Sequence, residues 1–235
     1  MKRKRTAISP LLLPLLAFIL ILWSLLQFKS SDNFNYAIPN NYKGFGIDVS
    51  HHQGKINWDT LFSTPISPSI QFVYIKATEG KDHKDREWKY NREQLIKKNI
   101  KHGAYHFFRP ETDPLEQFNH FLKQYQPRET DLAPVLDVEV EAISDQVLIE
   151  NMKVFLVEVE KRTGKRPIIY TSYHFYRTKF KNQFKDYKFW IAAYSETFIL
   201  PIDKRILYWQ FTDKGDLPFH KNVKVDLNVS RISFK

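Results

Sequence analysis

The chain contains no cysteine. That excludes disulfides, lipid attachment at a cysteine and thiolate metal ligands. Residues 1–30 carry no acid, and the stretch from Ala7 to Phe28 carries no charge of either sign. No internal repeat is present. No basic stripe accompanies a nucleic-acid-binding motif, so nucleic acid is not an expected partner. What is there is a globular composition: 43% of the residues are hydrophobic and 15% aromatic. With 235 residues the chain can build one substantial core. Aromatic residues in such number fill cores and also line carbohydrate clefts, where sugar C–H faces stack on rings.

Lys2, Arg3, Lys4 and Arg5 precede an apolar run whose body is Leu11–Leu13 and then Leu15 to Leu26. Its length suits a bilayer span of roughly 20 residues, and the basic cluster should stay in the cytoplasm. The expected organisation is a cytoplasmic basic tail (1–6), a transmembrane helix or uncleaved signal (7–28), a polar linker (29–43) and a folded domain (44–235). The alternative is a cleaved signal peptide, for which Trp23-Ser-Leu-Leu-Gln-Phe-Lys29 lacks the small residues a cut requires. The expected location is the cytoplasmic membrane, single-pass, with the folded domain on the periplasmic or extracellular side, or secretion if the segment is cleaved. The net charge is +10, and half of it lies in residues 1–30. The modest remaining surplus suits attraction to an anionic polymer such as a cell wall, as well as plain solubility.

From Phe45 the pattern alternates strand and helix. Strands are expected at Phe45–Val49, Phe72–Lys76, Gly103–Phe108, Val135–Val138 and Pro167–Tyr170. Helices are expected at Trp58–Phe62, Arg86–Asn99, Pro114–Tyr125 (capped by Asp113), after Ser144 up to Gly164, and near His174–Phe180. Phe189–Ala193, Ile206–Gln210 and Val225–Val229 read as strands with no helix between them. Eight strands and five helices predict an α/β fold, an irregular TIM-like barrel with a parallel sheet.

In such a barrel the chemistry lies where strands end. Residues 133–139 read Ala-Pro-Val-Leu-Asp-Val-Glu, a short apolar run ending in Asp137 and Glu139. Residues two apart on a strand share a face. Two neighbouring buried acids retain a proton near neutral pH, which suits general acid catalysis on a glycosidic bond. A solvated strand end is the plain alternative. Asp48, Lys76, His106, Tyr170, Tyr194, Gln210 and Asp226 fall on the same set of strand ends. His51-His52 and His102-x-x-x-His106 invite a metal reading, but the second spacing converges on a helix and this segment reads as strand. No metal and no cofactor are expected. His106 is read as a hydrogen-bonding residue of the cleft, Lys76 and Glu79 as an ion pair, and Trp58 and Trp88 as core.

Gly46-Ile-Asp-Val-Ser-His-His-Gln-Gly54, Ile75-Lys-Ala-Thr-Glu-Gly80, Gly103-Ala-Tyr-His-Phe-Phe108, Pro134-Val-Leu-Asp-Val-Glu139, Ile169-Tyr-Thr171, Trp190-Ile-Ala-Ala-Tyr194, Trp209-Gln210 and Val225-Asp-Leu-Asn228 stand in this order in the chain. Over residues 44–232 the chain resembles the family 25 glycoside hydrolases, lysozymes of the N-acetylmuramidase type. The resemblance implies an incomplete barrel of eight strands and five helices. It implies cleavage of the β-1,4 bond from N-acetylmuramic acid to N-acetylglucosamine in peptidoglycan glycan strands. Glu139 would be the general acid and Asp137 its partner, with Asp48 and Asp226 as further acids of the floor. Tyr105, Tyr170, Tyr194 and Trp209 would bind sugar. The acid pair leaves open direct carboxylate attack or attack by the substrate's acetamido oxygen. Other readings are a non-catalytic wall tether and a hydrolase of chitin-like polymers. A monomer is expected.

Overall fold

The computed structural model describes residues 28–31, 33–195 and 201–234. Two strands, β1 (Phe28–Ser31) and β2 (Tyr36–Pro39), form a hairpin. Eight strands then close a barrel. They are β3 (Gly44–Val49), β4 (Phe72–Glu79), β6 (Lys101–Phe107), β7 (Val135–Val138), β8 (Ile168–Ser172), β9 (Lys188–Ala192), β10 (Ile206–Asp216) and β11 (Lys224–Ser230), and the β3–β4 pairing completes the ring. A two-residue strand, β5 (His83–Lys84), extends the end of β4.

Five helices cover part of the wall: α1 (Trp58–Ser63), α2 (Trp88–Lys97), α3 (Pro114–Gln124), α4 (Asp145–Thr163) and α5 (Tyr173–Phe175), which runs on into a π-helical turn, Tyr176–Phe180. Their ends follow local chemistry. Asp113 accepts from the backbone N–H of Leu115 at 2.8 Å and of Glu116 at 3.0 Å, and Pro114 needs no donor partner at the first position. Ser144 starts α4 by accepting from Val147 N–H, and Gly164 ends it at φ 68°, a left-handed conformation that glycine adopts without Cβ strain. Leu148, Met152, Phe155, Leu156 and Val159 form the buried stripe of α4. Trp58 and Trp88 are core residues, as expected.

The sheet is not parallel throughout, as the strand–helix alternation had implied. β11 runs antiparallel to both of its neighbours, β10 and β3. Only residues 217–223 join β10 to β11. A parallel return needs a crossover of a dozen residues or more, so this short turn forces the reversal. The reversal places the start of β11 at the rim where the other strands end, and Asp226 pairs in register with Asp48.

The stretch 29–43, expected as a polar linker, is structured over its described residues. Phe34 and Ile38 belong to the main core, and Phe34 meets Phe45 edge-on at 4.9 Å. Tyr36 lies 6.0 Å from Phe211 and Tyr42 lies 5.9 Å from Trp209. Asp216 N–H donates to Phe34 O at 2.8 Å. Residues 34–42 thus cover part of the barrel wall. The apolar run 7–28 lies outside the described residues except for Phe28. Among the described residues no helix is long and apolar enough to cross a membrane.

Period-two alternation gives every barrel strand two environments. The outward set, including Ile47, Val73, Ile75, Leu136, Val138, Ile169, Phe189, Ile191, Leu227 and Val229, packs in one large cluster. The inward set forms a second, smaller cluster: Phe72, Tyr74, Val135, Ile168, Tyr170, Trp190 and Tyr208. Trp190 packs between Tyr74 at 4.9 Å and Tyr170 at 5.0 Å, and such aromatic pairs add about 0.5–1.5 kcal/mol each beyond burial. Two glycines make room for this plug. A Cβ at Gly46 would stand 2.6 Å from the Phe72 ring, and one at Gly103 would stand 2.3 Å from the Tyr74 ring.

Candidate active site

Above the aromatic plug the inward positions turn polar, and they line a pocket of about 320 Å³. Five carboxyls face it: Asp48, Asp137, Glu139, Asp213 and Asp226. Asp137 is 6% exposed and sits deep, one residue before the end of β7, while Glu139 follows the strand and is exposed at the mouth. The two side chains hydrogen-bond each other. Tyr105, Tyr170, Tyr194 and Gln210 line the same pocket.

A network built from inward residues fixes Asp48. Its Oδ2 accepts from Asn228 Nδ2 at 2.7 Å and from Gln210 Nε2 at 2.9 Å. Asn228 Oδ1 in turn accepts from Trp190 Nε1 at 2.8 Å. Gln210 Oε1 accepts from the Tyr170 hydroxyl at 2.6 Å and from the Tyr194 hydroxyl. Each amide therefore has its orientation set by an aromatic donor, and both point their N–H groups at one carboxylate.

Burial raises the proton affinity of Asp48, Asp226, Asp137 and Glu139. Asp48 is pushed up to about 7 by loss of hydration, partly offset by its two amide donors. Asp226 is pushed up to about 9, first by burial and then by Asp48, Asp213 and Glu139. Asp137 is raised well above the carboxylate range, by burial and then by Glu139, and the Asp137 Oδ1 has no partner among the protein atoms. Glu139 is raised by burial, while its bond from Asp137 and the charge of Lys76 pull the other way. Both members of the pair are thus pushed toward the protonated form.

Two expected cleft residues lie elsewhere. His106 is fully buried on the outward face of β6. It shares a proton with Thr78 Oγ1 at 2.8 Å, faces Gln117 Oε1 at 3.2 Å and stacks on Phe155 at 4.9 Å. Burial drops it to about 3, so it is neutral. Trp209 faces outward on β10, donates to Ala193 O at 2.9 Å and packs on Phe211. Both follow from parity: Tyr105 and Gln210, their strand neighbours, take the inward face. In the other direction, the pocket includes Ser50, His52, Gln53, Phe107, Val135, Trp190 and Asp213, none of which had been named as a cleft residue. Trp190 and Asn228 lie in the quoted motifs, and their even spacing from Ala192 and Asp226 marks them as inward. Asp213 carries no such signal, because β10 is bulged between Gln210 and Gly215. Among the described residues no group of three or more His, Asp or Glu side chains is placed to hold a metal ion.

The fold has known counterparts. A family 25 glycosyl hydrolase from Bacillus anthracis superposes with a TM-score of 0.75 at 27% identity, covering 87% of this chain and 96% of that one. A bacterial lysozyme from Streptomyces coelicolor superposes with a TM-score of 0.71 at 26% identity, covering 83% and 94%. In sequence, the Escherichia coli K12 protein YegX is 34% identical over 208 residues, 86% of this chain and 75% of its own length. The autolytic lysozyme of Clostridium acetobutylicum is 28% identical over 174 residues, 73% of this chain and 51% of its own length. The model of the glycosyl hydrolases family 25 matches residues 47–219, and the chain belongs to that family.

Proposed function

We infer that the protein is a peptidoglycan hydrolase, a muramidase that cleaves the β-1,4 bond between N-acetylmuramic acid and N-acetylglucosamine. The observation that carries this reading is the hydrogen-bonded pair Asp137–Glu139 in a pocket floored by Asp48 and Asp226. Lysozymes among its relatives supply the substrate.

Glu139, at the mouth, reaches the glycosidic oxygen and acts as general acid. Asp137, deeper, meets the N-acetyl group of the sugar. An amide N–H needs an acceptor, so the entering substrate favours the ionised form of Asp137, with the proton of the pair on Glu139. The acetamido oxygen then attacks the anomeric carbon as Glu139 protonates the leaving oxygen; in the second step Glu139 takes a proton from the water that opens the ring intermediate. Asp48 and Asp226 add negative potential beneath the oxocarbenium-like transition state. Tyr105, Tyr170, Tyr194 and Gln210 offer sugar contacts.

The test is clearing of purified peptidoglycan, with the new reducing ends identified by mass spectrometry. The expected result is N-acetylmuramic acid at the new ends and no clearing by Glu139→Gln of unchanged circular dichroism. Binding without clearing by the wild type would make the protein a wall tether, and N-acetylglucosamine at the new ends would point to chitin-like polymers. The apolar run 7–28 supports a single membrane span with the barrel outside. Recovery of the full chain in a carbonate-washed membrane fraction tests this, and recovery in the medium without residues 1–28 rejects it.

A further inference from the structure

Among the described residues Lys76 is the one lysine or arginine that lines the pocket, together with five carboxyls. It is almost fully buried, at 6% exposure. Burying an ammonium is costly without a partner, and the partner here depends on an irregularity. On a regular strand residues three apart point to opposite faces. The β4–β6 ladder shifts register between Lys76 and Thr78, so one extra residue, Ala77, is accommodated. Thr78 then reaches outward to His106, and Glu79 comes round to the face of Lys76, where Lys76 Nζ meets Glu79 Oε2 at 2.6 Å.

Glu79 is itself anchored. Its Oε1 accepts from Arg109 Nε at 3.0 Å and from Arg109 Nη2. Both cations also approach the Phe107 ring, Lys76 Nζ at 4.9 Å and the Arg109 guanidinium at 4.8 Å from its centroid. Phe107 pairs in register with Asp137. The bulge, the ion pairs and the ring together fix one positive charge at the lip of the acid pocket.

We propose that Lys76 is a positioning residue that keeps the Asp137–Glu139 pair singly protonated over the working pH range, and that the β4 bulge exists to hold it there. The proposal rests on the assignment of that pair as the reacting acids. The other groups facing the pair are Asp48 from β3, His52 just beyond it, Tyr105 from β6, Tyr170 from β8, Tyr194 beyond β9, Asp213 from β10 and Asp226 from β11. All of these are acidic or neutral apart from His52, whose own proton affinity is lowered by burial and by His51. Without Lys76 the pair would keep both protons to higher pH and lose its last proton later, because an opposite charge favours the ionised form. Lys76 lowers the proton affinity of both members.

The experiment is the pH profile of wall clearing by the full chain and three variants, with thermal unfolding as the check on folding. Lys76→Met should move both limbs of the profile alkaline by about one pH unit. Lys76→Arg should restore the wild-type position. Glu79→Gln removes the negative partner, leaves the lip more positive and should move the profile the opposite way, to lower pH. A mere packing role predicts lower activity at every pH with no displacement. An unmoved profile for a folded Lys76→Met, or a shift of the same sign for Glu79→Gln, overturns the proposal. If the wild type itself does not clear peptidoglycan, the functional reading fails instead, and the two failures are told apart.

Discussion

The two faces of the barrel wall follow different rules. Outward positions such as Ile47, Leu136, Ile169 and Ile191 are aliphatic, fully or almost fully buried, and answer only to packing. Inward positions change character along the strand: aromatic rings at the bottom, then amides and carboxyls at the top. The outer face therefore carries stability and the inner face carries chemistry, within strands of four to eleven residues. Asp48, Asp137, Glu139 and Asp226 are kept at a cost, because burial raises each of them toward protonation.

Substitutions can break this division. The largest expected effect is on the inside: Glu139→Gln should lower turnover by about 10²–10⁴-fold, the range for one general acid, with unfolding unchanged. Three positions earlier, on the outward face of β7, Leu136→Ala should cost about 2–5 kcal/mol in denaturant unfolding, with turnover per folded molecule preserved. If Leu136→Ala instead abolished turnover in folded protein, the faces would not be separable.

Asp226 sharpens the comparison through pH. Its folded value of about 9 lies above the ordinary 3.8. The folded state holds a proton that the unfolded chain releases, so its contribution is complete below about 4 and is lost as pH rises toward 9. Asp226→Asn should raise Tm at pH 8, leave it unchanged at pH 4, and reduce activity. A Tm at pH 8 equal to that of the wild type would show that this acid is not strained by burial. The smallest effect belongs to Trp209→Phe: loss of one hydrogen bond to Ala193, about 0.5–1.5 kcal/mol of stability, and a KM within about twofold of wild type. A large rise in KM would return Trp209 to the cleft.

Much of this was legible in the sequence. Asp113, Pro114, Ser144 and Gly164 mark helix ends by chemistry that acts within a few residues, and β7 stands at Val135–Val138 as the apolar run indicates. The acids came through because a core strand has no packing reason to end in one. Consecutive residues misled. Tyr105 and His106, like Trp209 and Gln210, are strand neighbours, so only one of each pair can face the cleft; period two alone separates them. The bulge at Ala77 was not legible, because it depends on pairing with a distant strand. Neither was the burial of Phe34 and Ile38, since it depends on contact with barrel strands distant in sequence.

The reversed strand has a consequence for biosynthesis. Asp226 and Asn228 arrive on residues 224–230, the piece that closes the ring between β10 and β3. Until the ribosome has released them, Asp48 lacks one of its two amide donors and the cylinder has an open seam. A chain that stops short of residue 224 therefore lacks Asp226, Asn228 and the strand that joins β10 to β3.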